Sequence, residues 1–241
     1  MLAIIGGSGL YHFDEIFVES KSSIETPFGE TSAGLVTGKI NNQPVCFLPR
    51  HGEHHHLPPH KVNYRANIWA LHHAGVSGIV AVNAVGGVHP LMGPSAIVVP
   101  DNIIDYTWGR EHTFSDGKSD KVEHVDFTNP YDQELRRKLV SSAAEQNIEV
   151  VNFGVYAATQ GPRLESAAEI RRIKNDGGDI VGMTGMPEAS LARELDIPYA
   201  CLSLVANWGA GITDELISIE DIHRVLEKGI SDIRKIIVNI F

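Results

Sequence analysis

Two stretches of this chain combine residue types that could hold an anion. The first, Gly6-Gly7-Ser8-Gly9-Leu10, follows the apolar run Leu2–Ile5. Glycines there allow a tight turn that presents backbone N–H groups, and Ser8 adds a hydroxyl donor. It fits no familiar phosphate or nucleophile signature. His12 stands where a dinucleotide loop needs its third glycine, the Lys-Ser/Thr of a P-loop is missing, and Leu10 replaces the last glycine of a nucleophile elbow. A plain strand-to-loop turn is the competing reading.

The second stretch is Pro49-Arg50-His51-Gly52-Glu53-His54-His55-His56. An arginine at a strand end offers a fixed fork of donors to phosphate, and a histidine beside it can donate or accept. The histidines also raise a metal reading. Consecutive loop histidines cannot all face one ion, however, and no matching ligand cluster occurs elsewhere in the sequence. Weaker signals recur further on. Asn83-Ala84-Val85-Gly86-Gly87 offers close backbone approach or a plain turn. Glu165, in Thr159–Ser166, is a buried-looking carboxylate or a first-turn helix residue. Thr184, in Gly182–Glu188, donates to an anion or caps a helix. Asn207, in Ala206-Asn207-Trp208-Gly209, is a ligand group or a turn residue. Small donors, one arginine and one carboxylate at six strand ends suit an enzyme that uses phosphate on a polar heterocyclic substrate.

The elements that must position these groups are legible as short apolar runs bounded by Gly, Pro or Asn. Strands are predicted at 2–5, 34–40, 44–48, 78–82, 96–99, 148–155, 179–182 and 198–205. Helices are predicted over 62–73 and 131–146, and from 219 onward, where Ile219, Ile222, Val225, Leu226, Ile230, Ile233 and Ile237 recur at helical spacing behind a Ser218 cap. Alternating strands and helices make an α/β domain, whose ligands sit at the carboxyl ends of the strands.

The chain has 241 residues, 43% hydrophobic and 21% charged, with no internal repeat or linker, so one domain is expected. Twenty Lys and Arg against 30 Asp and Glu give a formal charge of −10, which argues against nucleic acid or an anionic membrane as partner. Cys46 and Cys201 lie far apart in apolar runs and read as reduced core thiols, with no disulfide framework or CxxC zinc site. Met1–Ile5 has no basic segment before it and reads as a first strand, not a signal peptide; no apolar stretch is long enough for a membrane span. A cytoplasmic location is the expectation.

In their order along the chain, Gly6–Leu10, Thr26-Pro27-Phe28-Gly29, Arg50-His51-Gly52, Lys61–Leu71, Asn83-Ala84, Gly161-Pro162-Arg163 and Met183-Thr184-Gly185-Met186-Pro187-Glu188 resemble the trimeric purine nucleoside phosphorylase family. The methylthioadenosine phosphorylase branch is closest in the first half. The resemblance spans nearly the whole chain. It implies a single α/β domain with a mixed, partly barrel-like central sheet flanked by helices, assembled as a homotrimer with the site near the subunit boundary. It also implies phosphorolysis of a purine nucleoside at C1′ with inversion, with phosphate as co-substrate and no metal or organic cofactor. Carried over residue by residue, the phosphate site is Ser8, Arg50, His51, Asn83, Ala84 and Thr184. Met183 lies against the sugar, and Leu164 replaces the family's aromatic residue over the base.

Two departures from the methylthioadenosine branch bear on the substrate. That branch carries Asp at position 207 and again two residues on, whereas this chain has Asn207, Trp208 and Gly209. An asparagine amide can donate to a purine O6 and accept from N7–H. Glu165 matches the carboxylate that accepts from N1–H in the 6-oxopurine branch, and facing the bare N1 of adenine it would lose roughly 1–3 kcal/mol. At the 5′ end, Ile219 stands where ordinary members carry a histidine for the hydroxyl. With Ile222 and His55, and His124 from a neighbouring subunit, it would form an apolar pocket for a methylthio group, although both isoleucines also fit the core face of an amphipathic helix. The expected substrate is a 6-oxopurine nucleoside carrying a 5′-methylthio group. The alternatives are a general inosine/guanosine phosphorylase, a methylthioadenosine phosphorylase, or a non-catalytic purine- or metal-binding protein.

Overall fold

A computed structural model describes residues 1–115, 117 and 124–241. Among them, ten strands and five α-helices alternate. They are β1 (Leu2–Gly6), β2 (Phe17–Ser22), β3 (Leu35–Ile40), β4 (Gln43–Pro49), α1 (Tyr64–His73), β5 (Gly78–Gly87), β6 (Ile97–Val98), β7 (Asn102–Asp105), α2 (Gln133–Glu145), β8 (Val155–Ala158), α3 (Ala167–Asn175), β9 (Ile180–Gly182), α4 (Glu188–Glu194), β10 (Tyr199–Trp208) and α5 (Ile219–Asn239).

The sheet is mixed and turns on β5. Its first half pairs parallel with β1, its last two residues pair antiparallel with β9, and β10 runs parallel along its other edge. From β1 the sheet continues through β4 and β3 to the edge strand β2. On the other side β9 pairs with β8 and β8 with β7, while β6 pairs with β10. Val98 of β6 bridges Val151 in the same register that β7 keeps with β8, so segment 97–105 closes a ring from β10 back to β9. This ring is the partly barrel-like sheet expected from the sequence, in one α/β domain.

Two apolar layers hold the sheet. One face packs Ile68 and Leu71 of α1 and Ala189 and Leu191 of α4 against Ile5, Leu48 and Ile79. The other packs Leu135 and Leu139 of α2 and Leu226, Ile233 and Ile237 of α5 against Ile4, Val80 and Leu202. Ser218 caps α5 as its sequence predicts, accepting from the Asp221 N–H at 3.3 Å.

Several boundaries differ from expectation. β5 and β10 run on to Gly87 and Trp208, because a glycine pair and a polar tail are held in the sheet by parallel pairing between the two strands. The strand expected over 148–155 starts only at Val155; upstream, Val151 makes a single bridge. β2 and β7 carry no apolar alternation to reveal them: all of β2 is exposed, and β7 is exposed at both ends.

Candidate active site

The carboxyl ends of β1, β4, β9 and β10 and the middle of β5 converge on a cavity of about 630 Å³. Fourteen of the sixteen residues singled out from the sequence line it.

The β1 and β4 ends are locked together. The Arg50 N–H donates to the Gly6 carbonyl at 2.9 Å. A Cβ on Gly7 would collide with the Val82 carbonyl and come within 2.9 Å of the Arg50 guanidinium, so this glycine is required by close approach. Arg50 is fully buried. Its Nε and Nη2 donate to the two Glu188 oxygens at 2.7 Å each, and Nη1 donates to the Val82 carbonyl at 2.9 Å. Tyr199 donates its hydroxyl to the same carboxylate at 2.8 Å. Of the five guanidinium N–H groups, one on each terminal nitrogen stays uncommitted for an anion. Burial alone would lower the arginine's pKa, but the Glu188 carboxylate outweighs it and holds the pKa above its ordinary value. Arg50 therefore remains a cation.

His51 is 6% exposed, and its Nδ1 lies 2.8 Å from the Leu57 carbonyl, which makes Nδ1 the protonated nitrogen. Burial, then the Arg50 charge, pushes its pKa down to about 3, so the ring is neutral. Its ring centroid stands 4.6 Å from that of His55. His55 and His56 line the cavity mouth, and no group of three or more His, Cys, Asp or Glu among the described residues is placed to hold a metal ion.

Asn83 and Thr184 meet on the cavity floor. The Asn83 amide donates to the Thr184 hydroxyl at 2.6 Å and accepts from the Cys201 thiol at 2.9 Å. Tyr156, also buried, accepts from the Thr184 N–H at 3.3 Å. Ser8 and Ala84 complete this end of the cavity. Asn83 and Ala84 lie within β5, not after it as the sequence reading had it.

The other end holds the groups suited to a heterocycle. Glu165 accepts from the Thr159 hydroxyl at 2.6 Å through Oε1, leaving Oε2 for a ligand donor. Asn207 commits one amide proton to the Trp208 carbonyl at 2.7 Å and keeps its second proton and Oδ1. Leu164 (39% exposed), Met183 and Gly209 line the same space, and Ile219 and Ile222 form an apolar margin, with Ile219 59% exposed.

Two expected residues are placed elsewhere. The Trp208 indole packs on Gly93, where a Cβ would come within 2.7 Å of it; side chains alternate along β10, so Asn207 and Trp208 point to opposite faces. His124 is exposed and lines no part of this chain's cavity.

Sequence reasoning also missed three groups that bond to the site residues or to their backbone. Glu188 was visible only as the end of a motif, and Cys201 only as a core thiol. Arg110, 9% exposed, donates to the carbonyls of Met183 and Met186 through Nη1 and to those of Thr159 and Gln160 through Nη2. It ties the segment that carries Glu165 to the one that carries Thr184. Its neighbours in sequence, Trp108-Gly109-Arg110-Glu111, carry no local signal for that role.

An anion cradle around a fixed cation, opening into a slot with one carboxylate and one amide, on a mixed α/β sheet with a closed ring, defines an enzyme of the nucleoside phosphorylase type. The sequence model of the Phosphorylase superfamily matches residues 1–241, and the chain belongs to that superfamily. A Pseudomonas syringae protein named as a probable S-methyl-5′-thioinosine phosphorylase is 49% identical, over 96% of this chain and 94% of its own. The 6-oxopurine nucleoside phosphorylase of Pyrococcus furiosus is 43% identical, over 98% of this chain and 90% of its own. Among solved structures, methylthioadenosine phosphorylase from Schistosoma mansoni with adenine superposes with a TM-score of 0.95 at 32% identity, covering 99% of this chain and 90% of that one.

Proposed function

We propose that this enzyme cleaves S-methyl-5′-thioinosine with inorganic phosphate, releasing hypoxanthine and 5-methylthioribose 1-phosphate. The observation that carries this reading is the meeting of Glu165, Asn207 and the Ile219–Ile222 margin in one cavity with the Arg50–Thr184 cradle. Glu165 and Asn207 suit a base with N1–H, O6 and N7, and the isoleucines suit a methylthio group better than a hydroxyl. The names of the 49% identical relative and of the 6-oxopurine relative support the same base.

In this reading, Arg50, Ser8 and Thr184 hold phosphate beneath C1′, with neutral His51 beside it. A phosphate oxygen forms a bond to C1′ as the C1′–N9 bond breaks, and the bonding electrons leave with the purine. The transition state resembles an oxocarbenium ion, so the protein's contribution is positioning and stabilisation of charge on the departing base. The proton that hydrogen phosphate gives up on bonding to C1′ passes through solvent to N7 of the departing base; Asn207 accepts from that N7–H, and Glu165 accepts from N1–H. The reaction calls for no metal or organic cofactor. The reading includes a cytoplasmic homotrimer in which a neighbouring copy's His124 closes the 5′ end, and the exposure of Ile219 supports a cover on that side. Among the described residues, no helix is long and apolar enough to cross a membrane.

The deciding experiment measures base release from methylthioinosine, methylthioadenosine, inosine, guanosine and adenosine, each with and without phosphate and after exhaustive chelation. Phosphate-dependent turnover that favours methylthioinosine and survives chelation is expected. Equal rates without phosphate would make the protein a hydrolase; zinc-dependent activity would return the His51–His56 loop to consideration.

A further inference from the structure

We propose that Cys201 is a positioning residue for phosphate: its thiol orients the Asn83 amide, and through it the Thr184 hydroxyl, so that Thr184 offers its proton to the anion. This rests on the phosphorolysis reading and extends it to a residue that touches no substrate.

An asparagine amide can face either way, and the two ends have opposite polarity. Here the choice is made from below. Cys201 lies on β10, fully buried, with Sγ 2.9 Å from Asn83 Oδ1 and 3.2 Å from the hydroxyl of Ser203, itself fully buried. Burial pushes the thiol up to about 12, so it keeps its proton and can act as a donor. With Oδ1 held by the thiol, Nδ2 must face Thr184 Oγ1, 2.6 Å away, with the Tyr156 hydroxyl at 3.5 Å. Thr184 Oγ1 thus accepts from below, and its own proton is directed away from Asn83, into the cavity that Thr184 lines. The donors run one way: Ser203, Cys201, Asn83, Thr184, then phosphate. Reversing the Asn83 amide would make its oxygen the acceptor of the Thr184 proton, and the hydroxyl would meet an anion with lone pairs only. Directional chains of this kind, in a buried setting, are costly to leave partly satisfied.

The test compares the parent with Cys201→Ala, Cys201→Ser and Cys201→Val, the last filling the volume without a donor. Initial rates are measured against phosphate at saturating methylthioinosine, and against methylthioinosine at saturating phosphate. Losing one hydrogen bond's worth of orientation should raise the phosphate KM roughly 3- to 12-fold in the Ala and Val variants. The nucleoside KM should stay within about twofold, and Ser, which donates from the same place, should bring the phosphate KM back to within about twofold of the parent. An unchanged phosphate KM in Ala or Val overturns the proposal. So does a parallel rise in both KM values, the mark of a merely structural role, or a Ser variant as impaired as Ala. A parent without phosphate dependence overturns the phosphorolysis reading itself, which separates the two failures.

Discussion

Removing Glu188 should expose how much of this fold's stability is tied to its phosphate cation. Arg50 and Glu188 are 0% and 1% exposed and share two charge-assisted hydrogen bonds of 2.7 Å, with Tyr199 as a third donor to the carboxylate. Glu188→Ala leaves a buried guanidinium that cannot deprotonate and a phenol without its acceptor. Breaking one side of such a pair costs about 3–5 kcal/mol. For a chain of this length that corresponds to a fall in Tm of roughly 6–20 °C. Glu188→Gln keeps an oxygen for one N–H but loses the charge, and should fall between parent and Ala. The pairing itself is isolated by the double variant Arg50→Met/Glu188→Leu, which removes both charges. There the remaining defects are the Val82 carbonyl, no longer served by Nη1, at about 1–3 kcal/mol, and the Tyr199 phenol, which has lost its acceptor just as it has in Glu188→Ala, so that it drops out of the comparison. Urea unfolding at one protomer concentration, followed by circular dichroism, gives all the values needed. The double variant should be more stable than Glu188→Ala alone and should show no phosphate-dependent turnover. A Glu188→Ala loss below about 1 kcal/mol would refute the claim that Arg50 is held as an unscreened buried cation.

Three further outcomes are expected. Asn207→Asp should erode the preference for hypoxanthine over adenine nucleosides by roughly 5- to 150-fold, the equivalent of about 1–3 kcal/mol, because a carboxylate cannot donate to O6; competition between methylthioinosine and methylthioadenosine reads the ratio of kcat/KM. Ile219→His should reverse part of a similar preference for methylthioinosine over inosine, since imidazole can bond a 5′-hydroxyl, and measuring both substrates in both proteins separates this from a general loss. The folded-state pKa of His51, about 3, lies below its ordinary 6.5, so below pH 6.5 the unfolded chain binds a proton that the folded one does not. Stability should therefore fall with falling pH between those values by up to about 1.4 kcal/mol per pH unit from this group. Urea unfolding at about pH 6.5 and pH 4.5 should show the parent losing about 2 kcal/mol more than His51→Gln; parallel losses would place His51 in a wetter setting.

The parts of this protein that could be read in the sequence are those whose physics is local. The Ile219–Ile237 stripe and its Ser218 cap, the apolar runs of β1 and β4, and the turn after β1 all announce themselves within a few residues. The resemblance then gave roles to Thr184, Glu165 and Asn207, which otherwise had ordinary structural readings. What stayed hidden depends on partners far along the chain. Arg50 and Glu188 are 138 residues apart, and Cys201 meets Asn83 across 118, so no spacing rule connects them. Trp208 was misplaced because its neighbours drew it into the site, although strand alternation, with β10 running through to that residue, sends it the other way. β2 was missed because an exposed edge strand has no buried face to print an apolar period on its sequence.

Arg110 binds both site segments chiefly through backbone oxygens, which every residue type supplies alike; its one side-chain partner in them is Gln160, whose Oε1 accepts from Nε at 3.2 Å. Gln160 apart, the staple therefore imposes shape on residues 159–160 and 183–186 without constraining which side chains they carry. Architecture and vocabulary are separated: Glu165, Leu164 or Met183 can be exchanged by single point changes while the frame that presents them stays put. A scaffold of this kind lets side chains that face the cavity change at small cost to folding. The same economy makes Arg110 a poor place for variation, since one lost guanidinium would leave four carbonyls from two segments without their shared donor.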